Sequence, residues 1–188
     1  MLEEGARQMR AWADAGYLLQ HLAINLSAVQ IQRGNIANLM RSLLEKYELA
    51  PSLYEMEITE SVLFEHPEQA KKVLTEIRDI GMSLAMDDFG TGFSSLINIK
   101  QYPIDTIKID RSFVSELLVD QNDEAITRAV AAMGKSLELT VVAEGVEEIA
   151  QAEYLKALGC QQAQGYLYSP PVAANEFEQL LQQQSSHA

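Results

Sequence analysis

Carboxylates, amides and a lysine recur along this chain at the points where short apolar runs end. Asn25 closes the run in AINLS, Glu57 sits in EMEITE, and Asp87 and Asp88 in AMDDFGTG. Lys108 and Asp110 follow in IKID, Glu144 in VVAEGVE and Gln164 in QAQGY. Asn25, Glu57, Asp87, Asp88 and Asp110 offer only oxygen, the donor preferred by hard cations such as Mg2+ or Mn2+. Adjacent carboxylates at 87 and 88 repel unless cations sit between them, and one Asp can bridge two metals. Taken alone, an Asp pair before FGTG is equally a helix-capping turn, where Asp is common. Lys108 and Asp110, two apart, share a strand face; alone they read as a weak ion pair on a strand edge. Glu144 is placed to bind metal or to take a proton from water. Glu147, three residues on, reads as a first-turn helix acid favourable to the dipole, and Gln164 suits hydrogen bonding to a base or sugar. His21, His66 and His187 show no ligand spacing, which disfavours zinc.

Polar groups at strand end after strand end mark the catalytic face of a parallel β/α barrel. Strands are expected at 21–26, 54–59, 82–87, 105–110, 139–144 and 161–164. Helices are expected at 2–16, 29–47, 67–80, 94–100, 122–137, 147–157 and 173–183. Short strands alternating with helices imply parallel pairing through crossovers. Six strands fall short of the eight in a closed barrel, and a helix opens the chain. The fold is therefore an open α/β sheet or a barrel without its first two strands, with edges that need cover. The polar tail, 181–188, is expected to fray.

Composition bounds the partners. The chain has 188 residues and a formal charge of −13, which argues against duplex nucleic acid and a polybasic membrane anchor. Divalent metals would invert the local field and still admit a compact phosphate ligand. Cys160 is alone, so no internal disulfide forms and a small buried apolar role is expected. No apolar run approaches the roughly 20 residues of a membrane span. The expected location is the cytoplasm, without membrane contact by this segment, whether or not a parent protein is anchored elsewhere.

The strings AINLS, EITE, DDFGTGFSSL, IKIDRSFV, VVAEGVE and QGYLYSPP, in this order, resemble the signature blocks of the EAL-domain family. These are bacterial phosphodiesterases that linearise the second messenger cyclic di-GMP. The resemblance runs to about residue 180 and implies a TIM-barrel-like α/β fold with one antiparallel strand. It also implies two divalent cations, Mg2+ or Mn2+, and hydrolysis of one phosphodiester bond to pGpG. Carried onto this sequence, Asn25, Glu57, Asp87, Asp88 and Asp110 match metal-binding positions, with Asp87 as the bridge. Lys108 matches a group that holds the attacking water, and Glu144 a general base or metal ligand. Glu147 and Gln164 match positions that support the site or touch ligand, and Glu60 the residue that tethers the DDFGTG loop. The mechanism implied is in-line attack by an activated water, with both cations clamping the phosphate. The EAL tripeptide itself, with its metal-binding Glu, is expected upstream of residue 1, together with the two missing strands and sensory or regulatory domains. Phe93 stands where Tyr is common, and Pro170 where a basic residue is usual. A homodimer is implied as well. The alternative reading is an inactive EAL module that binds cyclic di-GMP or a protein partner.

Overall fold

Six apolar runs become six strands in the computed structural model, which describes residues 2–17, 19, 21–90 and 100–185, side chains of Phe64, Gln184 and Ser185 excepted. They are β1 Leu22–Asn25, β2 Tyr54–Thr59, β3 Ser83–Phe89, β4 Thr106–Ile109, β5 Thr140–Ala143 and β6 Gln162–Ala163. Each strand pairs with the next along the chain, in the order β1-β2-β3-β4-β5-β6, and every pairing is parallel. The antiparallel strand implied by the family resemblance is therefore not among these six. β2 is buried from Tyr54 through Ile58 without interruption, as expected for a parallel strand covered on both faces. The result is a curled half-barrel.

The helices are α1 Leu2–Asp14, α2 Ala28–Arg33, α3 Ile36–Tyr47, α4 Glu60–Glu65 and α5 Pro67–Ile80. Then follow α6 Arg111–Ser115, α7 Gln121–Ser136, α8 Ile149–Leu158 and α9 Ala174–Ser185. The single helix expected at 29–47 is two. Ser27 and Gln30 form a capping box at the start of α2, and Gly34 ends it at φ +64°, a left-handed conformation that suits glycine. α4 and α6, one turn or so each, were too short to leave a periodic signal. The helix expected at 94–100 lies outside the described residues apart from Lys100. α9 continues to Ser185, into the segment expected to fray.

Outside the sheet, Ala70, Val73, Leu74 and Ile77 of α5 join Met56, Ile58 and Leu84 in the core. α1 reaches the far end of the chain: the Trp12 and Phe177 rings lie 5.3 Å apart, and Gln182 Nε2 donates to the Tyr17 hydroxyl at 2.9 Å. Among the described residues no helix is long and apolar enough to cross a membrane.

Candidate active site

The sheet buries charge on one face. Glu55, Glu57, Thr106 and Lys108 are all buried, and period-two alternation puts Glu55 with Glu57 and Thr106 with Lys108. Thr106 Oγ1 donates to Glu55 Oε2 at 2.8 Å, deep in the sheet. One step toward the carboxyl ends, the Lys108 ammonium lies 2.6 Å from Glu57 Oε1, 2.6 Å from Glu144 Oε1 and 3.1 Å from Asp87 Oδ1. Lys108 is only 5% exposed, so its charge is balanced by these three carboxylates rather than by water. The same Glu144 oxygen is held by Gln164 Nε2 as well, which donates to Oε1 at 2.7 Å. Asp87 Oδ1 is buried and, although the ammonium is near, has no hydrogen bond among the described residues.

Asp87 and Asp88 come to one place through a break in regular pairing. Consecutive strand residues normally face opposite sides. Here the β3–β4 register shifts between Met86 and Phe89, and Asp88 takes φ +54°, a left-handed backbone uncommon outside glycine. Oxygen atoms of Asp87, Asp88 and Glu144 then lie within 4.8 Å of one another, a spacing that one cation could span.

The loop that follows β5 is fitted to its neighbours on both sides. Glu144 N donates to Ile109 O at 3.1 Å, and Val146 N to Gln164 O at 3.0 Å. Gly145 sits at φ +68°, where a Cβ would lie 2.5 Å from Arg111 Cβ, so only glycine fits without displacement.

Electrostatics follow from this crowding. Burial pulls the Lys108 pKa down, but hydrogen bonds to Glu144 and Glu57 outweigh it and hold the ammonium well above its ordinary range. Burial pushes the Glu144 carboxyl up, Lys108 opposes this, and the nearby Asp87 and Glu57 charges add to it. Asp88 is also raised, by burial first and then by the charges of Asp87 and Asp110. Asp110 differs: burial would raise it, yet hydrogen bonds from the Ser112 hydroxyl and backbone bring it below the usual range.

The expected residues thus fall into groups. Glu57, Asp87, Asp88, Lys108, Glu144 and Gln164 form one connected cluster. Asp110 caps α6, with Oδ1 accepting from Ser112 N at 3.0 Å, and hydrogen-bonds Asp88 with its side chain. Asn25 is exposed at the end of β1, level with Glu57 in the register. Glu147 is exposed and, with Glu144, Gln164, Arg111 and Tyr166, lines a cleft of about 790 Å³ beside the cluster. Glu60 opens α4 and is buried, with neither carboxylate oxygen hydrogen-bonded among the described residues; the loop it is expected to tether, 91–99, lies outside them. Glu55 and Thr106 were missed by sequence reasoning, although their parity with Glu57 and Lys108 was the available signal.

Residues 1–171 match the family model of the EAL domain. The chain belongs to the EAL domain family. It is 41% identical over 181 residues to the bifunctional diguanylate cyclase/cyclic di-GMP phosphodiesterase MucR of Pseudomonas aeruginosa, covering 96% of this chain and 26% of MucR. Across the similar curated proteins the EAL chain spans between 20% and 26% of their length. The solved PaMucR phosphodiesterase in complex with c-di-GMP superposes with a TM-score of 0.89 at 40% identity, covering 94% of this chain and 71% of that one. The Klebsiella pneumoniae BlrP1 manganese/cy-diGMP complex at pH 9.0 gives 0.79 at 31% identity, covering 88% and 43%.

Proposed function

We propose that this chain carries the catalytic face of a metal-dependent phosphodiesterase that opens cyclic di-GMP to pGpG. The observation that carries the reading is the buried cluster of Glu57, Asp87, Asp88 and Glu144 around Lys108, at the carboxyl ends of neighbouring parallel strands. Relatives solved with c-di-GMP, one of them with manganese, support the substrate and the metal class.

The donor set fits a hard divalent cation: it is all oxygen, and Asp87 presents a buried oxygen without a hydrogen bond. Asp87, Asp88 and Glu144 would hold one ion, and Asp87, Glu57 and Asn25 would contribute to another, with Asp110 in support. When bound, such ions polarise the phosphoryl oxygens and acidify water. The protein groups do the rest. Lys108, kept protonated, donates N–H and does not act as a base. Glu144, raised above an ordinary carboxyl by burial, is suited to accept a proton from water. Gln164 fixes one Glu144 oxygen and leaves the other to work. The adjoining cleft, about 790 Å³, is within the size range of small-ligand sites, and Arg111 and Glu147 on its walls offer a donor and an acceptor to a nucleotide.

The test is chromatography of cyclic di-GMP incubated with the chain and Mn2+. Conversion to pGpG, however slow, that stops when Mn2+ is chelated supports the reading. Binding of cyclic di-GMP without any metal-dependent turnover, in the chain extended by the expected upstream strand and its metal-binding Glu, would overturn it in favour of a binding module.

A further inference from the structure

The site loop after β5 is tied to the protein by a side chain that touches none of the site carboxylates. Gln151 lies in the first turn of α8 and is 5% exposed. Its carbonyl oxygen accepts from Glu147 N at 2.9 Å and from Glu148 N at 3.0 Å. Its amide nitrogen donates to Val114 O at 3.1 Å and to Ser115 O at 3.4 Å. One amide therefore uses both ends: it gathers the backbone of the loop that begins at Glu144 and fastens it to the C-terminal end of α6. α6 is a firm anchor, because Val114 is fully buried and Asp110 caps its start. The same helix meets the loop again at Arg111, against Gly145. Val146 lies between these two fixed points, and Glu144 directly precedes the first of them.

We infer that Gln151 is a positioning residue for Glu144: by clamping the β5–α8 loop to α6 it sets where the Glu144 carboxyl stands relative to Asp87, Asp88 and Lys108. The geometry calls for an amide. Two loop N–H groups find their acceptor, and two carbonyls at the end of α6 gain a donor, from one buried side chain that carries both. Leucine fills the same space and satisfies none of the four, which leaves the loop to find water and to shift. The inference rests on the reading of Glu144 as part of the working site, and its test is arranged so that the two fail separately.

The experiment compares the full chain with Gln151→Leu, and with Leu155→Ala as a control on the same helix. Leu155 is buried and apolar, so its truncation lowers stability without touching the loop backbone. The first readout needs neither metal nor substrate: hydrogen exchange at the Glu144 and Val146 amides, which bond to Ile109 and Gln164 rather than to Gln151. In Gln151→Leu both should exchange about tenfold faster or more, while in Leu155→Ala their exchange tracks the overall loss of stability. The second is Mn2+ affinity, expected to fall about tenfold in Gln151→Leu. The third is turnover of cyclic di-GMP, with kcat reduced and KM nearly unchanged, and with neither altered in the control. Amide exchange, Mn2+ affinity and kcat all matching the control would overturn the assignment. If the unmodified chain, extended by the expected upstream strand, neither binds Mn2+ nor turns over substrate, the functional reading fails. Amide exchange alone then decides: faster exchange in Gln151→Leu than in the control supports the clamp, and equal exchange overturns it.

Discussion

Replacing Lys108 by Met is the perturbation that the buried charge cluster makes most telling. The ammonium is 5% exposed and contacts carboxylates of Glu57, Glu144 and Asp87 at 2.6, 2.6 and 3.1 Å. Methionine approximates the length and volume but carries no charge, so three acids lose their shared counter-ion. Removing one member of a buried ion pair costs about 3–5 kcal/mol. In a chain of 188 residues, with roughly 2–4 °C of melting temperature per kcal/mol, the shift is a fall of about 6–20 °C. The sign with pH follows from linkage. In the unmodified chain Lys108 has a folded pKa raised above its unfolded value. Its stabilisation is complete below the unfolded lysine pKa and is lost as pH climbs through the folded one. In the variant the Glu144 carboxyl, already raised by burial, loses the lysine that opposed the rise, so the variant's deficit should be largest near neutrality and shrink as acid protonates that carboxyl. Mn2+ should also raise the melting temperature of the variant more than that of the parent, since ammonium and cation no longer compete for the same oxygens. Calorimetry with chelator and with Mn2+, at pH 5 and pH 7.5, measures all of this. A variant that melts within about 2 °C of the parent at pH 7.5 in chelator, or that gains no more from Mn2+, would refute the counter-ion argument.

Asp87→Asn should remove most of the Mn2+-induced rise in melting temperature, because it neutralises the acid that both proposed ions share; an undiminished rise would take Asp87 out of the site. Glu144→Gln should leave equilibrium binding of cyclic di-GMP close to normal while cutting turnover about 10²–10⁴-fold, the usual worth of a positioned base, and a loss confined to KM would count against that role. Cys160, whose thiol burial pushes up to about 11, should react slowly with iodoacetamide at pH 8 in the folded chain and rapidly in urea. Its raised pKa also means that stability held below the unfolded thiol value is lost as pH rises toward 11; equal labelling rates in both states would place the thiol in open solvent.

Much of this architecture was legible in the sequence because a parallel strand declares itself twice, as an apolar run and as a polar residue where the run stops. All six strands lie where such runs were found, and Glu57, Asp87, Lys108, Glu144 and Gln164 meet through direct contacts. What stayed hidden depended on backbone details that composition does not encode. The meeting of Asp87 and Asp88 needs a register shift and a left-handed Asp88, and strict alternation forbids it. The break between α2 and α3 hangs on Gly34 and Ser27, cap signals that an unbroken apolar period obscured. Glu55 was passed over because an acid in an acidic chain looks like surface until its partner, Thr106, arrives from 51 residues away.

The sequential strand order has a bearing on how the chain is made. Because each strand pairs with its successor, the sheet can be laid down in the order in which a ribosome releases it. Glu57, Asp87 and Asp88 emerge before any site cation from the protein itself, and Lys108 comes next, followed by Glu144 and last by Gln164. The lysine thus arrives when three acids already await neutralisation, and a fourth is added only after it is in place. A nascent chain halted between Asp88 and Lys108 carries its acids uncompensated and should be slow to close the sheet. One released past residue 110 carries its own counter-ion for Glu57 and Asp87 and should close the sheet as fast with chelator as with a divalent metal.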